Sequence, residues 1–389
     1  MGIYTEYLER NLNFEQLAKE RKNQLKIISR LRGNRDLIVY SSDLTNKTQA
    51  PISIDYSDIL PFKDQLNNLS GNSIDIIIET PGGIAEVVED MVHLVRSKYN
   101  NVGIIIPGTA KSAGTIFAMA GNEILMGNSS ALGPIDAQII NHNKRFSADA
   151  FLDGLKKIKD EISKSNKLNP AYIPILQNIS PGEIQHCENA QNFSKELVKD
   201  WLSKYKFQNW KNHSSTGKPV TAEEKEIRAN EIAAQLCKHS DWLTHARSIK
   251  IPDLKKMRLL ITDYSENKNL NEAITRYYTL LRITLESTNI YKIFETPHSQ
   301  IMRFSGANIP PPPPENNKRV NKVLFDLECP SCKKKYKIQA NLEKGVQVEK
   351  GKFAFPKNDK FICPNCRAQS NLESIKLQIE AQTQKKIVY

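Results

Sequence analysis

Residues 72–139, NSIDIIIETPGGIAEVVEDMVHLVRSKYNNVGIIIPGTAKSAGTIFAMAGNEILMGNSSALGPIDAQI, decide the fold. Three short apolar runs, 74–78, 102–106 and 123–126, alternate with two segments of helical period. In residues 84–95, Val87, Val88, Met91, Val92 and Val95 fall on one face. Short continuous apolar runs alternating with amphipathic helices predict an α/β fold, a parallel sheet with crossover helices. In such folds, sites are built by the loops that leave the carboxyl ends of the strands.

Two of those loops carry chemistry. After Ile78 comes Glu79-Thr80-Pro81-Gly82-Gly83, and after Ile106 comes Pro107-Gly108-Thr109-Ala110-Lys111-Ser112-Ala113-Gly114. Ser112 lies between small residues and ahead of an apolar segment, so it is expected where a helix begins, beside unpaired N–H groups. A serine there is suited to nucleophilic attack, with the N–H of Ala113 and one from Gly82 or Gly83 facing an oxyanion. The same residues also read as a tight turn and a helix N-cap. Spacing alone leaves both readings open.

The stretch resembles the Clp-protease and signal-peptide-peptidase superfamily, most closely its serine dehydrogenase proteinase branch. The resemblance rests on PGG at 81–83, KSAG at 111–114 and NEILMGNSSALGPIDAQI at 122–139, and covers roughly residues 25–300. It implies a ClpP/crotonase-like core of repeated β-β-α crossovers with peripheral helices. It also implies that Ser112 attacks a peptide carbonyl, that Gly83 and Ala113 donate to the oxyanion, and that peptides or proteins are the substrate. Two further readings keep the fold and change the class: a crotonase-like acyl-CoA enzyme, and a catalytically inactive binding scaffold.

The general base departs from the family pattern. Where the Clp protease has histidine, this chain has Asp136, with His142 slightly beyond. The signal-peptide-peptidase branch uses a downstream lysine, which falls here among Lys156, Lys157, Lys159 and Lys164. A lysine serves as base only if burial lowers its pKa. Phe151, Leu155, Ile158 and Ile162 form an apolar stripe that Lys159 borders, so Lys159 is the leading candidate, Lys157 the next, and Asp136 an orienting group. A helix with one solvated, charged face is the plainer reading. A Thr-His turn ahead of a helix, as in the serine dehydrogenase proteinases, gives His245 a claim near the substrate channel; a histidine ordering a turn is the alternative.

The chain has 389 residues, 39% hydrophobic and 25% charged, which describes a globular protein. No run approaches the roughly 18 apolar residues of a membrane helix, and MGIYTEYLERNLNFEQ has no basic region followed by an apolar one. A cytoplasmic protein is expected, with Cys187 and Cys237 as free thiols. The net charge is +12, and residues 320–389 hold 14 basic against 7 acidic residues. Much of the basic excess therefore belongs to the tail.

Four segments are expected: a helical arm over 1–33, the Clp-class domain over 34–305, a stiff proline-rich linker over 306–319 and a zinc ribbon over 320–389. Cys329-Pro330-Ser331-Cys332 and Cys363-Pro364-Asn365-Cys366 are two CxxC knuckles. Four thiolates satisfy a structural Zn²⁺, one per chain, without an open position. Lys333, Lys334, Lys335, Tyr336 and Lys337 offer a basic surface for nucleic acid or for a substrate or partner. Phe353, Phe355 and Phe361 either join that surface or form the small core. A homo-oligomer is expected, as the resembled proteases assemble.

Overall fold

The computed structural model describes residues 2–141, 144–306, 321–383 and 385–389. His142 and the proline run 310–314 lie outside the described residues. By contacts the chain forms two compact units: one of Arg21–Leu280 and Tyr291–Arg303, the other of Met1–Glu20, Leu281–Ile290 and Phe304–Tyr389.

The larger unit is built on a seven-stranded sheet. Its strands are β1 (Asp36–Ser42), β2 (Ser73–Glu79), β3 (Asn101–Ile106), β4 (Glu123–Met126), β5 (Thr262–Asp263), β6 (Ile290–Glu295) and β7 (Gln300–Phe304), in the spatial order β7-β6-β1-β2-β3-β4-β5. β1 to β5 run parallel, and β6 pairs antiparallel with β1. The three apolar runs of the sequence are β2, β3 and β4. They are continuous rather than alternating because both faces of a parallel sheet are covered: Ile74, Ile76, Ile77 and Ile78 are all fully buried.

Helix α1 (Ala85–Arg96) crosses from β2 to β3 and buries Val87, Val88, Met91, Val92 and Val95. His93 is on its exposed side. Helix α2 (Ala113–Met119) is buried at every position, which explains why its sequence is apolar all round. Beside the carboxyl ends of the strands a second ladder forms. Residues Thr109–Ala110 run parallel to Ala131–Leu132, with bridges Thr80 to Ala110 and Leu132 to Ile249. Strand, short second strand, helix is the β-β-α unit of a ClpP-like core. Peripheral helices Ala148–Ser165, Pro181–Trp201 and Ala222–Cys237 surround it, the last opened by the Thr221–Glu224 capping box.

In the smaller unit, β8 (Lys322–Glu328) and β9 (Lys335–Asn341) form an antiparallel hairpin, with Phe325 opposite Ile338. Phe325, Phe355 and Phe361 are buried with Leu372 and Ile379, while Phe353 is 40% exposed. Most of the phenylalanines are therefore core. Gly345 and Gly351 take φ of +85° and +83° at turns. A C-terminal helix, Glu373–Thr383, supplies Ile375 and Ile379 to this core, which the sequence reading did not anticipate.

Candidate active site and metal centre

Ser112 ends the loop after β3 and precedes α2 with φ 48° and ψ −118°. A non-glycine residue held there carries about 1–3 kcal/mol of backbone strain. Its surroundings over-determine it: Lys111 N–H donates to Thr80 O (3.1 Å), Gly114 N–H to Lys111 O (2.8 Å) and Thr115 N–H to Ser112 O (2.8 Å). Thr115 Oγ1 donates to Ala110 O at 2.9 Å. The Ser112 side chain makes no capping bond, so the N-cap reading lacks its defining contact.

The glycine turn lies directly against this serine. A Cβ on Gly82 would stand 2.7 Å from Ser112 Cβ, and one on Gly83 would stand 2.2 Å from Ile54 O. Both glycines also have positive φ, +107° and +151°, so shape and backbone exclude any side chain here. Gly82 N–H donates to Thr80 Oγ1 at 3.2 Å. The N–H groups of Gly83 and Ala113 have no hydrogen-bond partner among the described residues.

Asp136 follows the short strand Ala131–Leu132 and is fully buried. The Leu132–Ile249 bridge brings the segment after His245 alongside. His245 Nδ1 lies 2.7 Å from Asp136 Oδ1, and His239 Nδ1 lies 2.9 Å from Oδ2. Gln138 Nε2 also donates to Oδ2, at 3.0 Å. Burial pushes this carboxyl up, but the His245 and His239 bonds outweigh it and hold the group below the usual carboxylate range. A carboxylate at Nδ1 favours the tautomer with its proton there, in which Nε2 is the nitrogen left to accept. Neither Nε2 has a partner among the described residues. His239 was not singled out from sequence; its link to Asp136 spans 103 positions.

Lys111, next to Ser112, spends its ammonium on one segment, donating to Ala246 O (3.0 Å), Arg247 O (2.8 Å) and Ser248 Oγ (3.0 Å). Burial pushes it down to about 8. The bonds tie the Ser112 turn to the residues that follow His245. Lys157 and Lys159 stand differently. Both are exposed on Ala148–Ser165, and Lys157 pairs with Asp153 at 3.0 Å with 77% of its side chain accessible. Neither has the burial on which the lysine-base expectation rested.

In the smaller unit, the ligand atoms of Cys329, Cys332, Cys363 and Cys366 lie within 4.8 Å of one another. The two knuckles repeat one turn. Lys333 N–H donates to Cys329 O (3.0 Å) and Arg367 N–H to Cys363 O (2.9 Å), with φ of 60° and 61° at Lys333 and Arg367. Sulfur–sulfur distances of 3.5 and 3.6 Å across the knuckles leave room for an ion rather than a bond. Four thiols so arranged fit a tetrahedral, thiolate-bound metal. Lys333, Lys334, Lys335 and Lys337 are exposed, whereas the Tyr336 ring packs against Phe353 and Phe361, with its hydroxyl 3.2 Å from Cys363 Sγ.

Residues 65–227 match the family model described as ClpP-like SDH-type serine proteinase. This bears out the resemblance read from the motifs. The chain is 32% identical over 127 residues to uncharacterized protein MJ1495 of Methanocaldococcus jannaschii, 33% of this chain and 39% of that protein. It is 26% identical over 156 residues to uncharacterized protein MJ0137 of the same organism, 39% and 50% of the two lengths. The chain thus spans half or less of the curated relatives it matches here. Among solved structures, 1510-N membrane-bound stomatin-specific protease aligns over 57% of this chain and 79% of that one, at 14% identity and a TM-score of 0.32. A probable enoyl-CoA hydratase/isomerase from Mycobacterium abscessus covers 57% and 82%, at 11% identity and 0.20. Among the described residues, no helix is long and apolar enough to cross a membrane.

Proposed function

We propose that this chain, whose residues 65–227 match the ClpP-like SDH-type serine proteinases, is a serine peptidase in which Ser112 is the nucleophile and His245, oriented by Asp136, is the base. The observation that carries the reading is the 2.7 Å bond from His245 Nδ1 to a buried Asp136, beside a Ser112 turn with two amides that have no partner among the described residues. Ser112 Oγ attacks the scissile carbonyl, and its proton passes to His245 Nε2. Asp136 stabilises the imidazolium through Nδ1–H. The carbonyl oxygen, now negative, accepts from the N–H groups of Gly83 and Ala113. His245 then returns the proton to the leaving amine, and a water molecule repeats the sequence to release the acyl group.

Lys111 is unsuited to the base role because all three of its protons are donated to residues 246–248; it positions the turn. Cys329, Cys332, Cys363 and Cys366 would hold one structural Zn²⁺, whose coordination sphere the four thiolates close, leaving no position for activating water. The ribbon recruits substrate or partner through its exposed lysines. The protein is cytoplasmic and assembles as a homo-oligomer. A quenched-fluorescent peptide library tests the activity: wild type should release fluorescence, and Ser112→Ala should not. Equal hydrolysis by both would move the chemistry away from Ser112.

A further inference from the structure

A buried cation that the mechanism above does not use sits behind the glycine turn. Lys292, on β6, is fully buried. Its Nζ lies 2.6 Å from Asp58 Oδ2, 2.6 Å from Ser53 O and 3.4 Å from Asp55 Oδ2. All three acceptors belong to one loop. Asp58 is fixed in turn, accepting from Tyr40 Oη at 2.8 Å and from Asp55 N–H at 3.1 Å.

The Ser53 carbonyl belongs to the same peptide unit as the Ile54 N–H. That N–H donates to Gly82 O at 2.8 Å, and Ile54 O accepts from Ile84 N–H at 3.0 Å. Gly82 O shares its peptide with Gly83 N–H, the proposed oxyanion donor. A trans peptide is planar, with its C=O and N–H opposed, so holding one sets the direction of the other. The Gly82–Gly83 peptide has no Cβ on either side and rotates at little steric cost. Its orientation is therefore set by neighbours: Thr80 Oγ1 approaches Gly82 O at 3.4 Å, and the shorter bond, at 2.8 Å, comes from Ile54 N–H.

We propose that Lys292 is a positioning residue for the oxyanion hole, acting through a relay of two peptide units: Lys292 Nζ to Ser53 C=O, Ile54 N–H to Gly82 C=O, and so to Gly83 N–H. The inference rests on the assignment of Ser112 as nucleophile. It makes the 43–58 loop, remote in sequence from both motifs, part of the machinery that stabilises negative charge. Hydrogen bonds in series in a low-dielectric interior reinforce one another, so the relay both orients and polarises the last donor.

The test is the rate of Ser112 phosphonylation by a fluorophosphonate, resolved into affinity and chemical step. Serine Oγ bonds to phosphorus, fluoride leaves, the hydroxyl proton goes to His245, and the phosphoryl oxygen occupies the oxyanion hole. Lys292→Met should slow the chemical step about 10- to 100-fold, with probe affinity changed less than about twofold. Because Lys292→Met strands Asp58 in the interior, Lys292→Met/Asp58→Asn serves as the neutral companion. An amide-to-ester replacement at residue 54, which removes the middle N–H and keeps the buried Ile54 side chain, should show the same slowed step. A Lys292 that merely supports the fold would lower the melting temperature and leave the chemical step of folded protein unchanged. Wild-type rates in folded variants therefore overturn the proposal. If wild type itself is not labelled, it is the Ser112 assignment that fails.

Discussion

Asp136 illustrates how one buried group sets a site. Its two oxygens face two imidazoles, and those bonds keep it ionised below the ordinary carboxylate range against the effect of burial. Because the native pKa lies below the unfolded value of about 3.9, ionised Asp136 contributes stability above that pH. The contribution is lost as pH falls through the lower native value. The melting-temperature difference between wild type and Asp136→Asn should therefore shrink from pH 7 toward pH 3, and a constant difference would contradict this coupling. With a peptide substrate, Asp136→Asn should lower kcat roughly a thousandfold by misorienting His245. His245→Ala should lower kcat as severely. His239→Ala should cost mainly stability, since the segment held by Lys111 follows His245 rather than His239. Ser112, Asp136 and the glycines were legible because their motifs are local and short. Lys111, His239 and Lys292 were not: their partners lie 103 to 239 positions away, and no spacing rule marks such pairs.

At the scale of elements, β2 and β3 could be read directly, since short apolar runs rich in β-branched Ile and Val and closed by Pro-Gly turns are what strands covered on both faces carry. Residues 148–165 show where the pattern misleads. The stripe Phe151, Leu155, Ile158 and Ile162 is real as helical spacing but only half-buried, so the lysines beside it stay in water. Periodicity gives the face of a helix, not how deeply that face is covered. The glycine turn gives a sharper test. Gly83→Ala would place a methyl carbon 2.2 Å from the Ile54 carbonyl at a φ of +151°. It should destabilise the protein by roughly 1–3 kcal/mol, read as a lowered urea midpoint, and should slow Ser112 labelling in the protein that remains folded. The cysteine knuckles were legible because two CxxC units specify their own turns. The Glu373–Thr383 helix was not, its apolar positions being few and shared with the ribbon core. Metal analysis should find one zinc per chain and none in Cys329→Ser/Cys363→Ser, whereas metal retained by that variant would place it elsewhere.

For the whole molecule, the tail's 14 basic against 7 acidic residues set it apart in charge from the rest of the chain. The recruitment proposed for that surface would be electrostatic and should weaken with added salt. Removing residues 320–389 should leave the Ser112 reaction with a small probe intact while weakening processing of the native substrate. Loss of small-probe reactivity in a folded truncation would give the ribbon a direct role in the active site. Assembly is checked by light scattering at micromolar concentration, where a mass above that of one 44.2 kDa chain is expected and a monomer would oppose it.

The central claim is that Ser112 is the nucleophile of a peptidase site completed by His245 and Asp136. Fluorophosphonate labelling followed by peptide mapping tests it most directly. The account predicts one adduct per chain, on Ser112, absent from Ser112→Ala and strongly slowed in His245→Ala. An adduct on another residue, or labelling that persists in folded Ser112→Ala, would contradict it.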